Sequence, residues 1–180
     1  MMNERRFHRE IERLRDPDRI ARLEIERVAD LALQGLPDAR AVLDVGTGSG
    51  VFAEQFAARG LQVSGIDVNP DMLPAASLYV PSGSFKEAAA ESLPYPDRSF
   101  DLVFMGLLLH ETDDLLQALR EANRVGARLA VLEWPAEEQS FGPPLAHRLT
   151  PEKITQTAHQ AGFTEIHTTR LEHLVLYTAE

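Results

Sequence analysis

The stretch Val42-Leu-Asp-Val-Gly-Thr-Gly-Ser-Gly50 decides how this chain is read. Ala41, Val42, Leu43 and Val45 form a short apolar run, which predicts a strand buried on both faces over 41–45. Gly46, Gly48 and Gly50 follow, and Val51 to Arg59 then reads as a helix closed by Gly60 in the left-handed cap position. Strand, glycine loop and helix in that order bring a ligand against bare backbone and the exposed amides of a helix start. Two ligand classes use such a loop. Dinucleotides need G-x-G-x-x-G, with the pyrophosphate lying along the helix start. Here the third glycine of that pattern is replaced by Val51, and Asp44 places a carboxylate where a pyrophosphate would be repelled. A ligand with an ammonium group and no phosphate suits it better. Asp67 closes the next apolar strand, Leu61–Ile66, 21 residues after Gly46 (67 − 46), where a carboxylate can accept both hydroxyls of a ribose.

Ammonium, ribose and no phosphate describe S-adenosylmethionine (SAM). At these residues the chain resembles the class I SAM-dependent methyltransferases, through VLDVGTGSGVFAEQFAARG (42–60), VSGIDVNPDML (63–73) and AAAESLPYPDRSFDLVFMGLLLHE (88–111). The likeness covers about residues 40–135 and continues more weakly through LTPEKITQTAHQAGF (149–163). FHREIERLRDPDR (7–19) and GPPLAHRLTPE (142–152) are similar to segments of the small ubiquinone/menaquinone-biosynthesis-like subgroup, methyltransferase type 11.

The resemblance implies a Rossmann-like α/β fold: a doubly wound seven-stranded sheet of order 3-2-1-4-5-7-6 with the last strand antiparallel. N-terminal helices (1–36) would cap a core spanning 40–180, the whole forming one domain. It further implies SAM as cofactor and S-adenosylhomocysteine as product. Asp44, Gly46, Thr47, Gly48, Gly50, Asp67, Val68, Ala90, Glu91 and Met105 would hold the cofactor. The family's usual adenine-loop acid, four residues before Leu93-Pro94, falls on Ala89, so one contact is missing and weaker affinity is expected. His110 and Glu111, past the fourth strand, are the candidates for a base near the methyl group. Phe7, His8, Trp134, Phe141 and Arg148 are the candidate acceptor-binding residues: the aromatics as a flat wall, Arg148 for an anionic group.

The pattern along the chain agrees with alternating strands and helices. Strands are predicted at 41–45, 62–67, 84–88, 101–107, 127–133, 164–170 and 173–179, and helices at 51–59, 70–79, 113–124 and 151–161. The last two strands are too close for a crossover and must form a hairpin. Residues 4–35 read as helix interrupted at Arg15-Asp-Pro-Asp-Arg19, where Asp16 can cap and Pro17 can open a second segment. Pro74 conflicts with a helix starting at 70 unless that helix begins late.

Composition bounds the function. The chain has 180 residues and no cysteine, which excludes disulfides, thiolate metal sites and cysteine nucleophiles. No H-x-x-x-H or comparable spacing points to a metal. The formal net charge of −10 argues against a nucleic-acid substrate. The N-terminal arginines alternate with acids as a solvated helix face does. No run of apolar residues is long enough to span a membrane, and the charged N-terminus lacks a signal-peptide core, so a cytoplasmic protein is expected, monomeric or homodimeric, acting on a small molecule. Two other classes stay open: a SAM or S-adenosylhomocysteine sensor without turnover, and a nicotinamide oxidoreductase.

Overall fold

The computed structural model describes residues 11–180. Three short helices, α1 (Ile11–Leu14), α2 (Pro17–Leu23) and α3 (Ile25–Ala32), precede the alternating part. That part runs β1 (Ala41–Val45), α4 (Val51–Ala58), β2 (Gln62–Asp67), α5 (Leu73–Tyr79), β3 (Ser84–Glu87), β4 (Phe100–Gly106), α6 (Leu115–Val125), β5 (Gly126–Glu133), α7 (Pro151–Gln160), β6 (Ile166–Arg170) and β7 (Val175–Ala179). The seven strands form one sheet of order β3-β2-β1-β4-β5-β7-β6, as expected. β1 to β5 pair in parallel, and β7 runs antiparallel to both β5 and β6.

Side-chain alternation puts a core on each face. Leu43, Val45, Val103, Met105, Leu129 and Val131 meet α6 and α7 on one side. Val42, Leu102, Phe104, Ala130 and Leu132 meet α3 and α4 on the other, where Phe104 packs between Phe52 and Phe56 at ring distances of 4.8 and 5.2 Å. Strands covered on both faces must be apolar throughout, and this is why β1 and β4 read so clearly.

Local signals set the helix starts. Asp16 accepts the Arg19 amide (3.1 Å) with Pro17 opening α2, Asp114 caps α6, and Thr150 caps α7 ahead of Pro151. The Pro74 conflict resolves as a late start: Asn69 caps a short 3₁₀ turn over Pro70–Met72, α5 begins at Leu73, and Pro74 falls in its first turn, where no amide is needed. A second break in the N-terminal helices was not expected. Glu24 takes a left-handed conformation (φ 48°) between α2 and α3. Its carboxylate binds Arg27 (2.7 Å) and the Glu172 amide (2.9 Å), tying the cap to the β6–β7 turn and offsetting the backbone cost of about 1–2 kcal/mol. Among the described residues, no helix is long and apolar enough to cross a membrane.

Candidate active site

β1 and β4 are neighbours while their connections leave in opposite directions along the sheet, so their carboxyl ends open a crevice. A cavity of about 650 Å³ fills it. Its floor is the glycine loop, one side is the β2–α5 turn, the other is the β4 and β5 exits, and the roof is α1, α2 and the loop after β5.

In the loop, Gly46, Gly48 and Gly50 have φ of 72°, 53° and 77°. A Cβ on Gly46 would lie 2.8 Å from Leu108, which leans over the loop from the β4 exit. Four of the loop's five amides are already committed. Gly46 and Thr47 both donate to the Ile66 carbonyl (2.8 Å each), Gly50 donates to the Thr47 carbonyl (2.9 Å), and Gly48 donates to Asp67 Oδ2 (2.8 Å). A pyrophosphate would need those donors. What the loop presents instead is Asp67 itself, whose other oxygen accepts the Asn69 amide (2.9 Å). A carboxylate oxygen can accept more than one hydrogen bond, the chemistry a ligand hydroxyl requires. Ser49 is buried, lines the cavity, and has no partner for its hydroxyl.

Asp44 sits beneath this floor rather than in the cavity. It is 2% exposed and accepts a hydrogen bond from the Thr47 hydroxyl (2.8 Å). Burial, with a further push from the Asp67 charge, raises its pKa to about 7 against the restraining Thr47 bond. An acid whose folded pKa exceeds its unfolded value of 3.8 is protonated in the folded state and ionised in the unfolded state between about pH 4 and 7. Stability is therefore lost as pH rises through that window, by about 4 kcal/mol at most. Asp44→Asn removes the titration. Urea denaturation at pH 5 and pH 8 is expected to show wild type losing about 2–3 kcal/mol relative to the variant; an unchanged difference would exclude the raised acid.

Across the cavity, β4 leaves the sheet through Leu107, a non-glycine residue at φ 58°, into a 3₁₀ turn over Leu109–Glu111. This brings His110 over the end of β5. His110 Nδ1 lies 3.0 and 2.9 Å from the two oxygens of Glu133, which also accepts the His110 amide (3.2 Å) and the Trp134 amide (3.1 Å). Glu133 is 1% exposed. Glu111 Oε1 stands 3.8 Å from the other ring nitrogen, Nε2. Burial pushes the His110 pKa down, but the charge and hydrogen bond of Glu133, helped by Glu111 and opposed by Arg148, leave it above the ordinary histidine value. Beside it Trp134 and Phe141 meet edge to face (5.9 Å), and the Arg22 guanidinium stands 5.1 Å over the Phe141 ring.

Residues 43–131 match the family described as a methyltransferase domain. The demethylmenaquinone methyltransferase of Chlorobaculum tepidum is 40% identical over 85 residues, which are 47% of this chain and 35% of that protein. The malonyl-[acyl-carrier protein] O-methyltransferase of Halorhodospira halophila is 36% identical over 146 residues, 73% of this chain and 46% of that one. The chain thus spans about half the length, or less, of these curated relatives. The crystal structure of a SAM-dependent methyltransferase from Aquifex aeolicus has a TM-score of 0.79 and 26% identity, over 94% of this chain and 95% of that one. Residues 43–131 thus carry a methyltransferase domain, in a fold shared with a SAM-dependent methyltransferase.

The residues around the cavity fit SAM: a glycine cradle closed to a Cβ, a buried Ser49 hydroxyl without a partner among the described residues, and the Asp67 carboxylate beside the loop. Gly46, Thr47, Gly48, Asp67, Val68, Ala90, Glu91, His110, Glu111, Trp134 and Phe141 come together around the one cavity. Four other sequence candidates do not line it. Asp44 lies below, as described. Gly50 packs on the α5 backbone, where a Cβ would come 3.0 Å from the Ala76 Cα. Met105 is fully buried in the core, and its neighbour Gly106 is the lining residue. Arg148 is turned into its own loop, donating to the carbonyls of Pro135, Glu137, Phe141 and Pro143 and to Gln139 Oε1. All three guanidinium nitrogens are engaged within the loop, and Arg148 does not line the cavity where an anionic acceptor would enter. Glu91 lines the cavity while its carboxylate accepts the Asp113 and Asp114 amides (3.0 and 3.3 Å). Phe7 and His8 lie outside the described residues.

Sequence reasoning missed Ser49, Asn69, Met72, Leu108, Glu133 and the roof arginines Arg13, Arg19 and Arg22. The signal for Glu133 was present: like Asp44, it is an acid at the carboxyl end of an apolar run, Leu129 to Leu132, in a central strand. The arginines read as a solvated face because they alternate with acids, and only the packing of α1 and α2 over the crevice sets them at its rim.

Proposed function

We propose that this chain transfers the methyl group of SAM to a small-molecule acceptor. In this reading the ribose rests on Asp67, the adenine lies between Val68 and the Ala90–Glu91 loop, and the methionine part follows Gly46, Thr47 and Gly48 toward Gly106. The acceptor then enters beside His110, against Trp134 and Phe141. The carrying observation is the committed glycine loop. Four of its five amides are spent on Ile66, Thr47 and Asp67, which leaves a site with a carboxylate for a nucleoside and too few donors for a pyrophosphate. This argues against the nicotinamide alternative.

SAM supplies an activated methyl group. The protein's share is to hold acceptor and methyl carbon in line and to exclude water, an effect worth up to about 7–11 kcal/mol for a well-aligned pair. The relatives are a demethylmenaquinone methyltransferase and a malonyl-[acyl-carrier protein] O-methyltransferase by name. A flat aromatic acceptor agrees with the Trp134–Phe141 wall.

Calorimetry with SAM and with NADH tests the reading: SAM is expected to bind and NADH not to. Methyl transfer to an acceptor panel, followed by S-adenosylhomocysteine release, separates an enzyme from a sensor. NADH binding in the same cleft, or SAM binding without turnover across hydroxyl, amine, carboxyl and thiol acceptors, would refute methyl transfer.

A further inference from the structure

Beyond the cofactor half of the site, one buried pair stands out. Glu133 and His110 come from different strands' exits, 23 residues apart, and their side chains are 1% and 5% exposed. Glu133 has two carboxylate oxygens within hydrogen-bond reach of one ring nitrogen, and the same carboxylate fixes the His110 and Trp134 amides. The ring is thereby held at three points: its own backbone, its Nδ1, and the residue that follows Glu133 into the aromatic wall. Glu133 does not line the cavity, whereas His110 does, so Nδ1 is turned beneath the surface and Nε2 belongs to the exposed edge. A carboxylate beneath an imidazole selects the Nδ1–H tautomer and leaves Nε2 as an acceptor. The charged groups facing the pair are Glu111 beside Nε2, Arg148 on the loop after β5, and Tyr177 on β7, whose hydroxyl is held un-ionised by burial and the Glu133 charge, its pKa pushed up to about 12.

We propose that Glu133 is the positioning residue that makes His110 a one-sided base, so that the acceptor of this site is a weakly acidic hydroxyl of the phenol or enol class that gives its proton to Nε2. The proposal rests on the methyl-transfer reading. As the acceptor oxygen's lone pair forms a bond to the methyl carbon, the methyl–sulfur bond breaks and its electron pair stays on sulfur. The acceptor's proton passes to His110 Nε2, giving an imidazolium opposite the Glu133 carboxylate, and leaves to water after product release. A carboxylate or thioether acceptor has no such proton to give and would make no use of the pair.

The first measurement needs no acceptor. In protein labelled with ¹⁵N-histidine, with His110 assigned by comparison with His110→Gln, the neutral ring is expected to carry its proton on Nδ1 and none on Nε2. Finding the proton on Nε2 would overturn the proposal. Glu133→Gln should mix the tautomers and lower the pH at which the ring titrates. In turnover, it should reduce kcat for phenolic acceptors roughly 10²-fold at neutral pH and shift the pH profile, with the SAM dissociation constant within about twofold of wild type. Equal turnover of carboxylate and hydroxyl acceptors in wild type and variant would also overturn it. If Glu133→Gln does not fold, the wild-type tautomer still decides. Failure of wild type to bind SAM would instead remove the methyl-transfer reading, and the acceptor assignment with it, while the tautomer measurement would still report on the pair.

Discussion

Replacing Asp67 by alanine is expected to raise the dissociation constant for SAM about 30- to 100-fold, as read by calorimetry. The size follows from what the carboxylate does in the free protein. It accepts the Gly48 amide through one oxygen and the Asn69 amide through the other, so it bridges the glycine loop and the β2–α5 turn, the two sides of the nucleoside half of the cavity. The ribose contact assigned to it adds hydrogen bonds to a charged acceptor, worth about 1.5–3 kcal/mol. About 1.4 kcal/mol is tenfold in affinity, so loss of that contact alone exceeds tenfold. The unpaired Gly48 amide adds to it by loosening the loop. Asp67→Asn retains one acceptor oxygen and should fall between the two. S-adenosylhomocysteine should lose as much as SAM, because the ribose is common to both and the methyl is not. A variant that keeps its melting temperature and binds SAM as wild type does would refute the ribose assignment.

The same residue shows how far the sequence could be read. Asp67 and the glycine loop were legible because strand ends and φ > 0 glycines are local features, fixed within a few residues. The sheet order was legible from the resemblance and from strands apolar on both faces, since β1 and β4 are apolar but for Asp44 near the exit of β1 and Asp101 at the entry of β4. Pro74 was readable as a conflict, and the Asn69 cap shows how it is relieved. The Glu24 break was not readable: an ordinary residue turns left-handed there because of a partner 148 positions away. His110 could be named from its place after β4, but its partner depended on the exact lift of the Leu107 turn, which a sequence does not encode locally. Arg148 was visible as a charge near a site. Nothing in the string said that the charge would be surrounded by carbonyls of its own loop.

That last point makes a sharp prediction. Arg148→Ala is expected to cost about 2–4 kcal/mol in urea denaturation and to loosen residues 135–147, seen as lost hydrogen-exchange protection. Arg148 is 8% exposed, and its guanidinium makes five contacts of 2.8–3.2 Å: Nε to the Pro143 carbonyl, Nη1 to the Pro135 and Glu137 carbonyls and Gln139 Oε1, and Nη2 to the Phe141 carbonyl. It also stands 5.6 Å over the Trp134 ring. Bonds from a charged donor are individually stronger than neutral ones, and deleting the donor leaves the Glu137, Phe141 and Pro143 carbonyls to find water, while Pro135 keeps the Glu137 amide. Lysine cannot replace it, because one ammonium has three donors and no planar fork to reach acceptors spread over nine residues (135–143). The consequence for chemistry is indirect. With the loop loosened, Phe141 and Gly142 no longer back Trp134, so the acceptor's KM should rise while the SAM dissociation constant stays near wild type. An anion-binding role at Arg148 predicts the opposite pattern: unchanged stability and exchange, with a loss confined to negatively charged acceptors. Measuring stability and acceptor KM on the same variant separates the two, and Arg148→Lys, which keeps the charge and loses the geometry, should behave like the alanine if the loop is what the guanidinium holds.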